Sequence, residues 1–235
     1  MNTTFSIKGL FRDAWADYKK YWGIILLIIL TFAVVQGVSM LGSQYDAQTG
    51  MIINSGFGAI LSWFAMTWLS IGYLNFLFNI VDGKQAQYRD IFYGVKSVEQ
   101  FAYYVLVTLV YAVVVGVGTI FLVIPGIILA IGLVFAHYYI AENRLGFREA
   151  FTSSWEITKG SRWKMFGFAL VAILFNILGL LALGIGLLVT LPLTQLMYVR
   201  MFRNLEGIPV PDGGNDSDES LTVVYEEKIT IETEE

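Results

Sequence analysis

Four long stretches of this chain carry no ionised side chain: residues 21–45, 47–81, 101–141 with His137 neutral, and 165–199. A hydrocarbon core about 30 Å thick needs roughly 20 helical residues to cross it. The first two stretches therefore hold one span each, near residues 22–41 and 56–81. The third is too long for one helix and contains Pro125-Gly126, so it reads as a helical hairpin. The fourth contains Gly179, Gly184 and Gly186 and reads as a second hairpin of short helices. The sum is six spans. Composition agrees, with 14% charged residues where soluble domains carry about 25%. Disordered, collagen-like, coiled-coil and most water-soluble folds are thereby excluded. The expected fold class is all-α, a polytopic membrane protein of six transmembrane helices.

The basic residues orient these spans. All 15 Lys and Arg fall in the N-terminal segment, in loops 82–100 and 142–164, or after the last span. The opposite loops, near residues 42–55, 116–126 and 179–186, hold none. The positive-inside rule then predicts that both termini are cytoplasmic. Four or five spans would put basic residues on both sides. Asp13 and Asp17 in the polar leader, and the lack of a clear small-residue cleavage site, favour an uncleaved first span over a signal peptide. From Glu206 onward ten acidic residues accompany one Lys, so the chain divides into a transmembrane domain, 1–205, and an acidic, disordered cytoplasmic tail, 206–235. Within that tail, residues 221–231 are rich in β-branched side chains and could pair as a short strand with a partner.

Three cytoplasmic segments share a signature: Phe11-Arg12-Asp13-Ala14, Tyr88-Arg89-Asp90-Ile91 and Phe147-Arg148-Glu149-Ala150. Ile7, Leu10, Phe11, Ala14, Trp15 and Tyr18 form an apolar stripe at helical spacing. Phe147, Ala150, Phe151, Ser154, Trp155 and Thr158 repeat its offsets, and Tyr88, Ile91, Phe92 and Val95 give a shorter version. Such helices beside spans are expected in the interfacial plane, with Arg and Lys among anionic head groups. Two explanations stay open: threefold repetition of one interfacial helix and two spans, or the common look of helices at an interface. Arg12, Arg89, Arg148, Arg162 and Lys164 are the candidate contacts to anionic lipid.

Little else carries chemistry. Cys is absent and His137 is the single histidine, so thiol chemistry and multi-histidine metal sites are excluded. No nucleophile-elbow, zincin or phosphate-loop pattern occurs. Gly116-x-Gly118 and Gly184-x-Gly186 read as tight turns. Glu142, Glu149 and Glu156 recur every seven residues among Arg144, Arg148 and Lys159, a pattern of solvated helix pairs rather than catalysis. Within the spans, Asn75, Asn79 and His137 form the candidate polar cluster. An ionisable group in a span points to function; the competing explanation is hydrogen-bonded packing between helices. No cofactor, metal or nucleic-acid partner is expected.

Ile124-Pro125-Gly126-Ile127-Ile128, residues 142–146, Ala150, Ser154, Lys159-Gly160, Trp163, Gly184-Ile185-Gly186 and Pro192 together resemble uncharacterised bacterial six-helix proteins of the YciC type. The same residues are similar to the membrane domain fused to some glycerophosphodiester phosphodiesterases. The resemblance covers residues 88–205 well and the first third in architecture alone. It implies a cytoplasmic-membrane protein without an assigned reaction, since hydrolysis in the fused proteins belongs to a separate soluble domain. The resulting expectation is a non-enzymatic membrane protein that organises lipids, anionic ones above all, or a protein partner at the cytoplasmic leaflet. The alternative is a small-solute or lipid transporter, which a polar cavity reaching Asn75, Asn79 and His137 would favour. Oligomeric state is not legible.

Overall fold

The computed structural model describes residues 6–40, 44–46, 51–53, 56–121 and 123–213. Its helices are α1 (Ile7–Met40), α2 (Gly56–Val81), α3 (Asp90–Tyr93), α4 (Val98–Phe121), α5 (Val123–Leu133), α6 (Ala136–Ala141), α7 (Phe147–Ile157), α8 (Arg162–Leu181) and α9 (Leu187–Glu206). A small antiparallel pair, β1 (Gln44–Asp46) and β2 (Met51–Ile53), lies between α1 and α2 with Tyr45 opposite Ile52. The architecture is thus essentially all-α, as expected. Most of the expected tail, including its β-branched stretch, lies outside the described residues.

Five segments are long and apolar enough to cross a membrane: α1, α2, α4, the combined run Ile124–Ala141, and α8. This is compatible with a multi-pass membrane protein. The sixth expected span, α9, does not reach that standard among the described residues. Its second half carries Arg200, Arg203 and Glu206, which dilute the apolar run. Pro192 lies inside α9 and cannot donate to the carbonyl one turn back. The Tyr18 hydroxyl reaches that carbonyl, Leu188 O, at 3.5 Å.

The core is concentrated in part of the bundle. Buried apolar side chains come mainly from the first two-thirds of α1, the last half of α2, α6 and the last half of α9, and include Phe76 of α2, Phe135 just before α6, Phe168 of α8 and Phe202 of α9. Elsewhere the same helices turn large side chains outward: Leu26, Leu30 and Val34 on α1, Ile60, Trp63 and Phe64 on α2, Leu174 and Leu178 on α8. A bilayer would cover these faces, because lipid tails are as apolar as leucine.

The three expected interfacial helices differ from one another. The first is not a separate helix. Residues 7–20 continue unbroken into the first span, making α1 34 residues long. Its stripe also meets protein. Leu10 and Ala14 are buried, while Phe11, Trp15 and Tyr18 stack in a column whose Phe11 edges onto Phe175 of α8. The second is a single turn, α3. The third, α7, is an 11-residue helix whose Ala150 and Ser154, with Thr158 just beyond its end, are buried. The structure therefore lends no likeness to a threefold repeat.

Close backbone approach explains two glycines. A Cβ on Gly72 would lie 1.9 Å from the Ile91 carbonyl oxygen, and one on Gly94 would lie 2.3 Å from Gly72 Cα. The loop after α2 thus folds back against α2 through two bare backbones. A Cβ on Gly132 would meet the Trp155 ring at 2.5 Å. Gly72→Val should therefore detach α3. It is expected to lower the thermal midpoint and open residues 82–97 to limited proteolysis, while Gly167→Ala, at a site with no neighbour within 4 Å, leaves both unchanged.

Candidate functional site

The strongest electrostatic feature lies where α2, α6 and α9 end. Asp82 follows α2, Glu142 follows α6, and Arg203 and Glu206 lie on the last turns of α9. Arg203 is fully buried and uses all five of its N–H donors. Nε and Nη2 grip Asp82 at 3.0 Å each. Nη1 reaches Glu142 Oε2 at 2.8 Å and Glu206 Oε2 at 3.1 Å, and Nη2 also donates to Glu142 Oε1. A planar five-donor fork is the one side chain that can meet three carboxylates in this way. The guanidinium carbon also lies 4.3 Å from the Phe78 ring centroid. Arg144 completes the group with bonds to Glu142 at 3.1 Å and Glu206 at 2.8 Å.

Three carboxylates face two guanidiniums in this cluster. Burial pushes the Glu206 carboxyl up to about 7, although Arg203 and Arg144 pull the other way. Burial also opposes ionisation of Glu142, but Arg203 and Arg144 outweigh it and hold that carboxyl below its ordinary value. The third carboxylate leaves the group with one negative charge in excess, which a proton on Glu206 would relieve as pH falls through about 7.

A second buried pair lies nearby. Arg200 Nε and Asp17 Oδ2 are 2.7 Å apart, and Arg200 Nη1 donates to the Pro211 carbonyl at 3.0 Å. Gly207 has a left-handed φ of 68°, which lets the chain leave α9 and turn back. Ile208 is then buried, so the start of the acidic segment packs on the bundle instead of trailing from it at Glu206.

The expected Asn75, Asn79 and His137 cluster divides. Asn75 donates to the carbonyls of Ala141 at 2.9 Å and Gly94 at 3.3 Å. Gln100 donates to the same Ala141 carbonyl at 2.9 Å, and to that of Ile140 at 3.2 Å. The two amides together cap the end of α6, where carbonyls have no helical partner. Asn79 donates to Asp90 Oδ2 at 3.1 Å and so pins α3. His137 instead lies against Tyr104 and Tyr111, in edge contact with both rings. It borders a cavity of about 440 Å³ that neither asparagine lines.

The expected lipid contacts also separate. Arg12 is exposed and pairs with Asp13 at 2.8 Å. Arg89, Arg148 and Lys164 are exposed. Arg162 is half-buried, its guanidinium 3.5 Å from the Trp155 ring centroid and bonded to the Trp155 carbonyl at 3.1 Å. Its Nε is buried without a hydrogen-bond partner. An apolar trough of about 320 Å³ runs beside it, lined by Ile124, Ile127, Ile128 and Ile131 of α5 and Trp163 and Phe166 of α8.

None of the members of the Arg203 cluster is among the candidate site residues that the sequence suggests. Its signals were present. Arg200, Arg203 and Glu206 are spaced three apart on one helical face, and Asp82 and Glu142 are each the first ionised residue after a charge-free run. Among the described residues, no group of three His, Cys, Asp or Glu forms a metal site.

Arg203→Lys keeps the charge but loses two donors, and Arg203→Met loses all of them. Breaking a buried ion group from one side costs about 3–5 kcal/mol. Both variants should show large drops in thermal midpoint, with Lys closer to Met than to wild type. The Glu206 carboxyl binds its proton more tightly in the fold. Its stabilising contribution is complete below about pH 4.5 and is lost as pH rises through about 7. The midpoint should therefore fall between pH 5 and 8, and Glu206→Gln should flatten that slope. An equally steep slope in Glu206→Gln would assign it to another group.

A family model described as a protein of unknown function (DUF975) matches residues 106–208, less than half of the chain. No curated protein and no solved structure matches it. The chain is thus similar, over residues 106–208, to a family without an assigned role.

Proposed function

We propose that this is a non-enzymatic multi-pass membrane protein of the bacterial cytoplasmic membrane that holds anionic phospholipid at the cytoplasmic leaflet. Its sixth span is the first part of α9, up to Val199, with Arg200 to Glu206 beyond the apolar run. Both termini are cytoplasmic. Kinship with YciC-type proteins belongs to the same reading. The confinement of all 15 Lys and Arg to one set of loops supports this orientation.

The observation that carries the lipid role is the trough beside Arg162. Four isoleucines at i, i+3, i+4 and i+7 make one apolar wall, fit for an acyl chain. Trp163 is 85% exposed, as an aromatic at the water–lipid boundary would be. The Arg162 guanidinium borders the trough, and its positive charge favours a phosphate at that end. Arg148 and Lys164 add exposed positive charge from α7 and α8. A protein partner for the exposed Arg12 and Arg89 is compatible with this role. A second reading, a small-solute or lipid transporter, draws support from the cavity beside His137.

Native mass spectrometry of the protein purified from mixed phosphatidylglycerol and phosphatidylcholine vesicles tests the lipid role. Arg162→Gln is expected to lower retained phosphatidylglycerol severalfold, and Ile128→Trp, which fills the trough, to do the same. Equal retention in both variants would remove the role. The Cys-free background also allows single Cys substitutions at Arg89 and Arg148. An impermeant thiol reagent should label both from the same side of sealed vesicles.

A further inference from the structure

The cavity beside His137 lies between α2, α4, the α5–α6 run and α9. Its walls are polar in an unusual way for a bundle of apolar helices. Five tyrosines line it, together with His137, Gln195 and Ser70, and no Asp, Glu, Lys or Arg does. The tyrosines converge from four helices. Tyr73 comes from α2, Tyr104 and Tyr111 from α4, Tyr138 from α6 and Tyr198 from α9. The Tyr138 hydroxyl lies within electrostatic reach of those of Tyr73, Tyr104 and Tyr198.

Three of the lining polar groups are already occupied. Tyr111 donates to the Ala130 carbonyl at 3.1 Å, and Ser70 to the Met66 carbonyl at 2.7 Å. His137 bonds to the backbone of Val134. The hydroxyls of Tyr73, Tyr104, Tyr138 and Tyr198 and the Gln195 carboxamide make no hydrogen bond among the described residues. They are not buried orphans either, because the buried side-chain atoms without partners are those of Arg162, Asn176 and Thr190. They are open to the cavity. In an apolar surround each unmet polar group costs several kcal/mol, so something must meet them.

The chemistry of the lining selects what that is. A charged ligand would enter without a counter-charge, and desolvating it uncompensated is prohibitive. An apolar ligand would leave five polar groups unmet. A tyrosine hydroxyl both donates and accepts, as does a carboxamide through its two atoms. Their match is a molecule whose own groups do the same at several points around an apolar frame, seated against aromatic faces. A cavity of about 440 Å³ is within the size of ordinary small-molecule sites.

From this convergence of unpartnered hydroxyls in an uncharged cavity, we infer a binding site for an uncharged, polyhydroxylated molecule of the sugar class. It arrives either as a free solute or as the head group of a glycolipid. The site lies apart from the Arg162 trough and does not rest on the anionic-lipid reading.

The test uses the full chain in phosphatidylcholine nanodiscs with three probes: glucose, glucosyl diacylglycerol and tetramethylammonium. Saturation-transfer NMR reads the soluble probes and native mass spectrometry reads the lipid. Saturable binding of glucose supports the site with a free ligand, and binding of the glycolipid alone supports it with a head group. The isosteric pair Tyr138→Phe and Tyr198→Phe should weaken the binding probe by about tenfold, the scale of two lost hydrogen bonds. Should that pair fail to fold, Gln195→Met alters a single wall and is expected to weaken binding severalfold. Binding of neither sugar probe would overturn the inference. So would tetramethylammonium binding in their place, or sugar affinity unchanged in the folded variants.

Discussion

Arg203 is the constraint on which the rest of the bundle depends. A guanidinium with no exposed surface and five spent donors cannot be moved without leaving Asp82, Glu142 or Glu206 unmet. Such a group is poor at adding net stability, because desolvating its members costs about what their attraction returns. What it does is choose one arrangement. Any register of α9 that shifts Arg203 by one residue separates it from α2 and α6 at once. The apolar faces alone offer no such choice, since leucine and isoleucine pack on many neighbours equally well. Arg200 and Asp17 extend the same selection to α1.

With that end fixed, the neighbouring backbone must be satisfied locally, and polar side chains within the spans do this. The chain breaks between α5 and α6, and Ser154 of α7 repairs the break. Its Oγ accepts from the Phe135 N–H at 3.2 Å and donates to the Gly132 carbonyl at 2.9 Å. A hydroxyl inserted into a helical ladder is a recognised cause of a kink. The close approach that brings it there requires Gly132 beside Trp155. Trp155 in turn holds Arg162 through its ring and carbonyl. The break in the fourth span, the docking of α7 and the placement of Arg162 are therefore one linked arrangement.

Much of the architecture was legible because membrane insertion depends on gross properties. Charge-free runs and Pro125 early in α5 are read one segment at a time. What was not legible depends on which side chains meet. Asn75 looked like half of a functional pair with Asn79, yet each bonds to a different loop element. The stripes of α1 and α7 looked lipid-facing, because an apolar periodicity does not say whether lipid or protein covers it. Glu206 was assigned to the tail by composition, whereas its spacing from Arg203 placed it on the helix. Charge had been treated as a marker of solvent, and at the ends of spans that rule fails.

The contrast between the two polar regions bears on function. The Arg203 cluster is dense in charge and internally satisfied, so it has little left to offer a ligand. The cavity beside His137 is uncharged and unsatisfied, so it has donors and acceptors to spare. Both draw on α2, α6 and α9, and Tyr138 and Tyr198 stand four and five residues from Glu142 and Arg203 respectively. Rigidity at the charged end holds the tyrosine walls of the cavity at fixed separation. A preformed site of this kind avoids the ordering cost that a collapsing pocket would meet on binding. The charged end therefore serves the uncharged one: the interactions that bind nothing themselves set the geometry in which binding occurs.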